Sequence, residues 1–147
     1  GSEILAAFGL AQLDKLESFA AARARWFGRH TGFFARHEDL FVLPRQLADL
    51  ETNWMCYPIT VRDDAGFARN DLHRFLEEHG VVSRPIWTGN ILRHPGFRDI
   101  PCRRAPGGYP VADQVMRGGL LVACHHGLEE ADVDHIHAVF ESFLSRH

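Results

Sequence analysis

The sequence has almost no lysine. Fifteen of its sixteen basic residues are arginine, and Lys15 is the exception. Lysine is the side chain that forms Schiff bases with carbonyl groups, so imine chemistry has a single candidate here. No apolar run approaches the roughly 20 residues of a membrane-spanning helix, and no secretory leader pattern is visible. Cys56, Cys102 and Cys124 are odd in number and have no CxxC spacing, which argues against a disulfide framework and for free thiols in a reducing cytoplasm. An excess of positive charge is also lacking. The net charge of the 147 residues is −3 with His neutral, which argues against nucleic acid or an anionic membrane as partner. There is no HExxH, no cysteine zinc spacing, no glycine-rich phosphate loop and no recognisable nucleophile motif. No catalytic residue is therefore assigned in this chain.

Histidine is plentiful, but its spacing is wrong for a metal. His135 and His137 lie two apart on a predicted helix and point to different faces, and adjacent His125 and His126 diverge likewise. Surface or capping roles are expected, and no metal site. Asp63-Asp64 and Glu77-Glu78 read as solvated turn and helix-end charge.

What is present is an ordinary globular composition, 46% apolar and 24% charged, of a length that makes one domain with its own core. Residues 3–37 carry a helical stripe through Leu5, Phe8, Leu13, Leu16, Phe19, Trp26, His30 and Phe33, with a break expected at Gly28 or Gly32. Residues 53–61 alternate as a strand with Met55, Tyr57, Ile59 and Val61 on one face. Pro58 has no N–H to donate, so an edge position or a bulge is expected. A helix over 69–79 stops at Gly80, and a strand follows at 81–87. After an irregular stretch at 88–108, the pattern predicts a helix from Tyr109 with Pro110 in its first turn, a strand at 120–124 and a helix at 129–145 with Val133, Ile136, Phe140 and Phe143 inward. The order implies an α+β fold, a small, mainly antiparallel sheet with helices on one face plus a long N-terminal helix.

The irregular stretch raises the functional question. About twenty residues without regular structure are uncommon inside a compact domain and are usually functional or disordered. Positions 84–97 read R-P-I-W-T-G-N-I-L-R-H-P-G-F. Arg84, Arg93, Arg98, Arg103 and Arg104 stand there or close by, against Asp99 as the only acid. Guanidinium forks suit phosphate oxygens, and Trp87, Phe97 and Tyr109 offer faces for a ring. Gly89 permits close backbone approach, and Asn90 carries both donors and an acceptor. Composition leaves two readings open, a pocket for a phosphorylated, ring-bearing ligand or solvated arginines on a loop pinned by its aromatics.

S-E-I-L-A-A-F-G-L-A-Q-L-D-K-L at 2–16, R-N-D-L-H-R-F-L-E-E-H-G-V at 69–81 and the tail G-L-E-E-A-D-V-D-H-I together resemble the DegT/DnrJ/StrS family of pyridoxal-phosphate-dependent enzymes acting on nucleotide sugars. The loop is similar to the R-x-x-x-x-G-N segment of the 3-dehydratase branch, which makes 3-deoxy sugars for lipopolysaccharide and related glycans. His94 and Gly96 depart from its commoner Gln and Ala, and His125-His126 stands where other residues are expected.

The resemblance implies the small domain of a fold-type I enzyme. Residues 1–37 would be a helix leading from a missing large domain, and residues 38–147 the C-terminal small domain with its substrate loop at 84–109. It implies pyridoxal or pyridoxamine phosphate in the full-length parent, held by residues preceding this chain and not by this chain alone, which is expected to be inactive. It also implies a cytoplasmic homodimer with shared active sites. The substrate would be a nucleotide-linked 4-keto-6-deoxyhexose: the aminated cofactor would condense with its 4-keto carbon, the cofactor ring would stabilise the carbanion left by proton loss, and the 3-hydroxyl would leave. Trp87, Thr88, Gly89 and Asn90 would lie at the sugar or cofactor edge, and Arg93 near a phosphate or the partner chain. An aminotransferase of the same family is the close alternative, and a non-catalytic sugar-nucleotide binding or dimerisation module the distant one. The fragment reading also predicts an exposed apolar face on the first helix, at Phe8, Leu13 and Leu16.

Overall fold

A computed structural model describes residues 2–147; the expected helix segment 1–37 therefore lies within the described residues except for Gly1. Two antiparallel strands, β2 (Cys56–Val61) and β4 (Gly119–Ala123), form the centre of a four-stranded sheet. The two-residue strands β1 (Phe41–Val42) and β3 (Arg84–Pro85) flank them in the order β1-β2-β4-β3, with every pair antiparallel. Alternation buries Tyr57, Ile59 and Val61 of β2 with Leu120 and Val122 of β4. Against them pack α2 (Leu16–Phe34), α3 (Arg69–Glu78) and α5 (Glu130–Leu144), giving one core in the expected α+β arrangement.

Met55 departs from the expected strand face, because it precedes β2 and is exposed. Pro58 faces Leu121 of β4, while β1 pairs only with Thr60 and Val61. The proline thus lies past the end of β1, where a missing donor breaks no ladder. The strand expected over 81–87 shrinks to Arg84–Pro85, since Pro85 offers no N–H and Trp87 turns the chain at φ +39°.

The long N-terminal helix is two helices, α1 (Glu3–Leu13) and α2, and the break is at Asp14–Lys15 rather than at Gly28 or Gly32. There the Lys15 N–H donates to the Gln12 carbonyl, three residues back, which tightens the turn and ends the helix. Each helical glycine costs about 1 kcal/mol against alanine. Trp26, His30, Phe33 and Phe34 of the same helix are buried, and apolar side chains of that size contribute about 1.5–3 kcal/mol each. Packing outweighs the glycines. α1 has no such packing. It buries no residue, and Ile4, Leu5, Phe8, Leu10 and Leu13 are all exposed, as is Leu16 at the start of α2. A helix apolar on every side is normally covered by other protein.

α3 ends as expected at Gly80, with the Gly80 N–H on the Glu77 carbonyl and the Val81 N–H on that of Leu76. α5 opens with a reciprocal cap between Glu129 and Asp132. Arg25 and Arg29 pair with Glu130, Arg29 with Asp134 at 2.6 Å, and Arg36 with Glu141 at 3.0 Å, which fixes α5 alongside α2.

Between these helices lies a buried imidazole pair. His30 Nε2 donates to the Ala123 carbonyl at 2.9 Å, so its Nδ1 is an acceptor and takes the His137 Nε2–H at 3.0 Å. His137 also stacks on Phe33, with centroids 4.2 Å apart. Burial lowers both pKa values, that of His137 to about 4, with His30, Arg29 and Arg36 adding to the effect and Asp134 opposing it. A His whose folded pKa is lowered stabilises the fold fully above its unfolded value near 6.5 and loses that contribution as pH falls towards 4. Discounting for partial exposure, about 2 kcal/mol is at stake. Thermal melts should therefore show falling stability between pH 6.5 and pH 4, and His137→Gln, which keeps the donor but cannot titrate, should flatten that fall. The same slope in both proteins would exclude the pair as its source.

Candidate functional site

The loop at 84–109 is held by α4 (Pro110–Gly118), which begins with Pro110 in its first turn. Within the loop, Ile91–Arg93 and Pro95–Phe97 each make one 3-10 turn. Asn90 caps the first of them through its Oδ1, which accepts from the Leu92 N–H at 3.1 Å. Its Nδ2 donates to Asp113 Oδ1 at 2.7 Å. Arg93 donates to the same carboxylate from Nε (3.0 Å) and Nη2 (2.8 Å), a bidentate pair. Asp113 is thus a triple acceptor. The hydrogen bond from Arg93, then that from Asn90, pull its pKa to about 2, while Asp113 raises that of Arg93.

Gly89 lies one step further back, at φ +58°, and a Cβ there would collide with the Cβ and backbone of Met116. The close approach that glycine permits is therefore to α4. At its other end α4 is pressed on the sheet, since a Cβ at Gly118 would strike the Val61 carbonyl. Arg117 of the same helix forms a bidentate pair with Asp63 at 3.2 and 2.9 Å.

Of the five residues singled out in the sequence, Gly89, Asn90 and Arg93 thus converge on α4. Trp87 and Thr88 do not. Trp87 is 73% exposed, and its positive φ is an outlier for a bulky side chain. Such strain costs about 1–3 kcal/mol and concentrates at functional sites. Thr88 is exposed too, and its carbonyl accepts from His94 Nε2 at 2.8 Å. Sequence reasoning took Asp99 as the loop's only acid and missed Asp113. The sole signal was an acid in the first turn of a predicted helix, which ordinarily reads as a favourable charge on the helix dipole. Asp63, taken as solvated charge, is likewise a partner of Arg117.

Asn90, Arg93, Arg104, Gly108, Tyr109 and Asp113 line a cavity of about 270 Å³ where the loop meets α4. Phe97 and Ile91 are exposed beside it on the loop surface. The histidines go elsewhere. His135 Nε2 donates to the His79 carbonyl at 2.9 Å, and His126 stacks on Phe19 at 3.7 Å. No group of three or more His, Cys, Asp or Glu among the described residues converges as a metal site. No described helix is long and apolar enough to cross a membrane.

The DegT/DnrJ/EryC1/StrS aminotransferase family model matches residues 2–141. Over 97% of its length the chain is 28% identical to the lipopolysaccharide biosynthesis protein RfbH of Salmonella typhimurium, of which it covers 32%. Over 99% of its length it is 30% identical to the dTDP-4-dehydro-2,6-dideoxy-D-glucose 3-dehydratase of Saccharopolyspora spinosa, of which it covers 31%. Among solved structures, the E. coli GDP-4-keto-6-deoxy-D-mannose-3-dehydratase with bound hydrated PLP superposes with a TM-score of 0.76 at 25% identity, over 89% of this chain and 33% of that one. The chain spans about a third of the length of the curated relatives it matches. Dehydratases and aminotransferases both occur among the matched proteins.

Pyridoxal phosphate in such a fold needs a lysine, or a residue replacing it, sheltered beside the cofactor. Lys15 is exposed at the α1–α2 junction. The residues of this chain do not fit as a covalent seat for that cofactor. What they offer is an arginine-rich loop fixed from behind by one helix.

Two variants test this fixing. Gly89→Ala should cost at least about 1–2 kcal/mol in urea unfolding, because it adds both strain and a collision. Unchanged stability would contradict the close approach. Asp113→Ala should speed trypsin cleavage after Arg93 and Arg98 several-fold while leaving the thermal midpoint nearly unchanged. Equal cleavage rates would show that the carboxylate does not hold the loop.

Proposed function

The chain belongs to the DegT/DnrJ/EryC1/StrS aminotransferase family, and from that premise we propose that it is the small domain of an enzyme using pyridoxal or pyridoxamine phosphate to modify nucleotide-linked 4-keto-6-deoxy sugars. The proposed reaction is removal of the hydroxyl at C3, in the making of lipopolysaccharide or another deoxysugar glycan. The observation that carries this reading is the loop of Arg84–Phe97, whose R-x-x-x-x-G-N segment resembles the dehydratase branch and whose tip exposes a strained Trp87. The names of two relatives, both covered over nearly all of this chain, point the same way.

In this reading the domain contributes binding and position. Trp87 and Thr88 at the loop tip meet the sugar or the cofactor edge. Gly89 and Asn90 hold the tip in place through α4, and Arg93 stands at a phosphate or at the partner chain. Closure of the domain over the substrate excludes water and fixes the reacting carbon. The exposed apolar residues of α1 are the surface on which a large domain and a second subunit pack. The chemical step takes place on groups outside this chain, in keeping with the exposed position of its only lysine.

Transamination is the second reading, favoured by the aminotransferases among the matched proteins. The residue that faces the cofactor in the rest of the polypeptide separates the two, a lysine for transamination and a histidine for dehydration. The direct test incubates the complete polypeptide with pyridoxamine phosphate and a nucleotide-linked 4-keto-6-deoxyhexose, and follows the product by NMR. Loss of the C3 hydroxyl is expected, with kcat/KM falling about tenfold in Trp87→Ala as a stacking face is removed. A 4-amino sugar would replace this reading by the second, and an unaltered sugar would exclude both.

A further inference from the structure

The cavity at the foot of the loop has a chemistry that none of the comparisons assigns. Its acid is spent. Both oxygens of Asp113 are taken, by Arg93 Nε and Nη2 and by Asn90 Nδ2. Arg93 keeps Nη1 outside this pairing. Arg104, also in the lining, donates through Nη2 to the Arg98 carbonyl at 3.2 Å and has no carboxylate partner among the described residues. Its Nε and Nη1 are uncommitted. Tyr109 lines it too, with its hydroxyl accepting from the Ala105 N–H at 3.0 Å and so bracing the turn that carries Arg104. One neutralised ion pair and one unpaired guanidinium leave the cavity with a net positive wall.

Size narrows the ligand. Pockets that enclose a whole small molecule run to about 300–1,000 Å³. A volume of about 270 Å³, open to solvent, takes part of such a molecule. Guanidinium forks match the paired oxygens of a phosphate group, and the acid that could compete is already held by Arg93 and Asn90.

We infer that Arg104, Tyr109 and the free edge of Arg93 form a subsite for a phosphate or diphosphate group, which within the proposed function takes the diphosphate of the nucleotide sugar. The inference rests on that function only for the identity of the ligand. Asn90 and Asp113 are positioning residues of this subsite, and Arg104 is its principal contact. The phosphate of the cofactor is the other source of the same chemistry.

Isothermal titration of the complete polypeptide separates these possibilities, with inorganic pyrophosphate, a nucleotide-linked 4-keto sugar and pyridoxamine phosphate as separate ligands. Arg104→Gln should weaken pyrophosphate and the nucleotide sugar by about tenfold or more, the cost of a lost charge-assisted contact. Arg98→Gln, outside the cavity lining, should change neither by more than about twofold and controls for diffuse charge. Circular dichroism melts confirm that both variants fold. Equal weakening by the two variants, or no pyrophosphate binding, overturns the subsite. Pyrophosphate binding that depends on Arg104, without any nucleotide-sugar binding, keeps the subsite and overturns the proposed function. Nucleotide-sugar binding indifferent to Arg104 does the reverse. A dependence on Arg104 seen with pyridoxamine phosphate and not with the nucleotide sugar overturns the diphosphate assignment.

Discussion

Three hydrogen bonds converge on the carboxylate of Asp113, and the geometry of the loop depends on them. One comes from Asn90, whose other end caps the turn carrying Arg93. Two come from Arg93 itself. A loop of about twenty residues would ordinarily sample many conformations, since each residue fixed costs about 1–2 kcal/mol of backbone entropy. Here one acid on a regular helix ties two points of that loop. The helix is in turn pressed to the sheet at Gly118, under the Val61 carbonyl. The line of support runs from the β2–β4 pair through α4 to Asp113 and out to the exposed Trp87.

That arrangement divides the loop by role. Gly89 packs against α4, and Asn90, which also lines the cavity, bonds Asp113 and the Leu92 N–H. Trp87, Arg104 and the open edge of Arg93 face outward or into the cavity. A binding surface of this kind needs rigid backing, because misplacement by an ångström costs heavily in affinity and rate. Fixing the loop from one helix supplies that backing while leaving the groups proposed to meet the ligand, Trp87 and Arg104, exposed.

The fold was legible where burial is periodic. The stripe of Val133, Ile136, Phe140 and Phe143 and the alternation of Tyr57, Ile59 and Val61 both follow directly from helix and strand geometry. The helix break was not legible, because glycine cost is local while the packing of Trp26 through Phe34 is tertiary. The two-residue strand β1 was too short to show a period, and β3 was expected but at more than its true length. In the site, the residue types of the loop were visible, but their division of labour was not. The pairing of Asn90 and Arg93 with Asp113, twenty or more positions away, could not be read from the sequence, because it forms only when the loop meets α4. The His30–His137 pair was hidden for the same reason, since its members lie on α2 and α5 and meet only after folding.

The central claim is that ligand recognition by this domain resides on the α4-backed loop and not on its other concave surfaces. The apolar groove of about 670 Å³ between α2 and residues 46–54 is the larger of the two and the natural competitor. Hydrogen–deuterium exchange of the complete polypeptide, with and without a nucleotide-linked 4-keto sugar, separates them. The account predicts new protection at 87–93 and 104–109. Protection confined to the groove beside Ala24 and Trp54, with the loop unchanged, would contradict it.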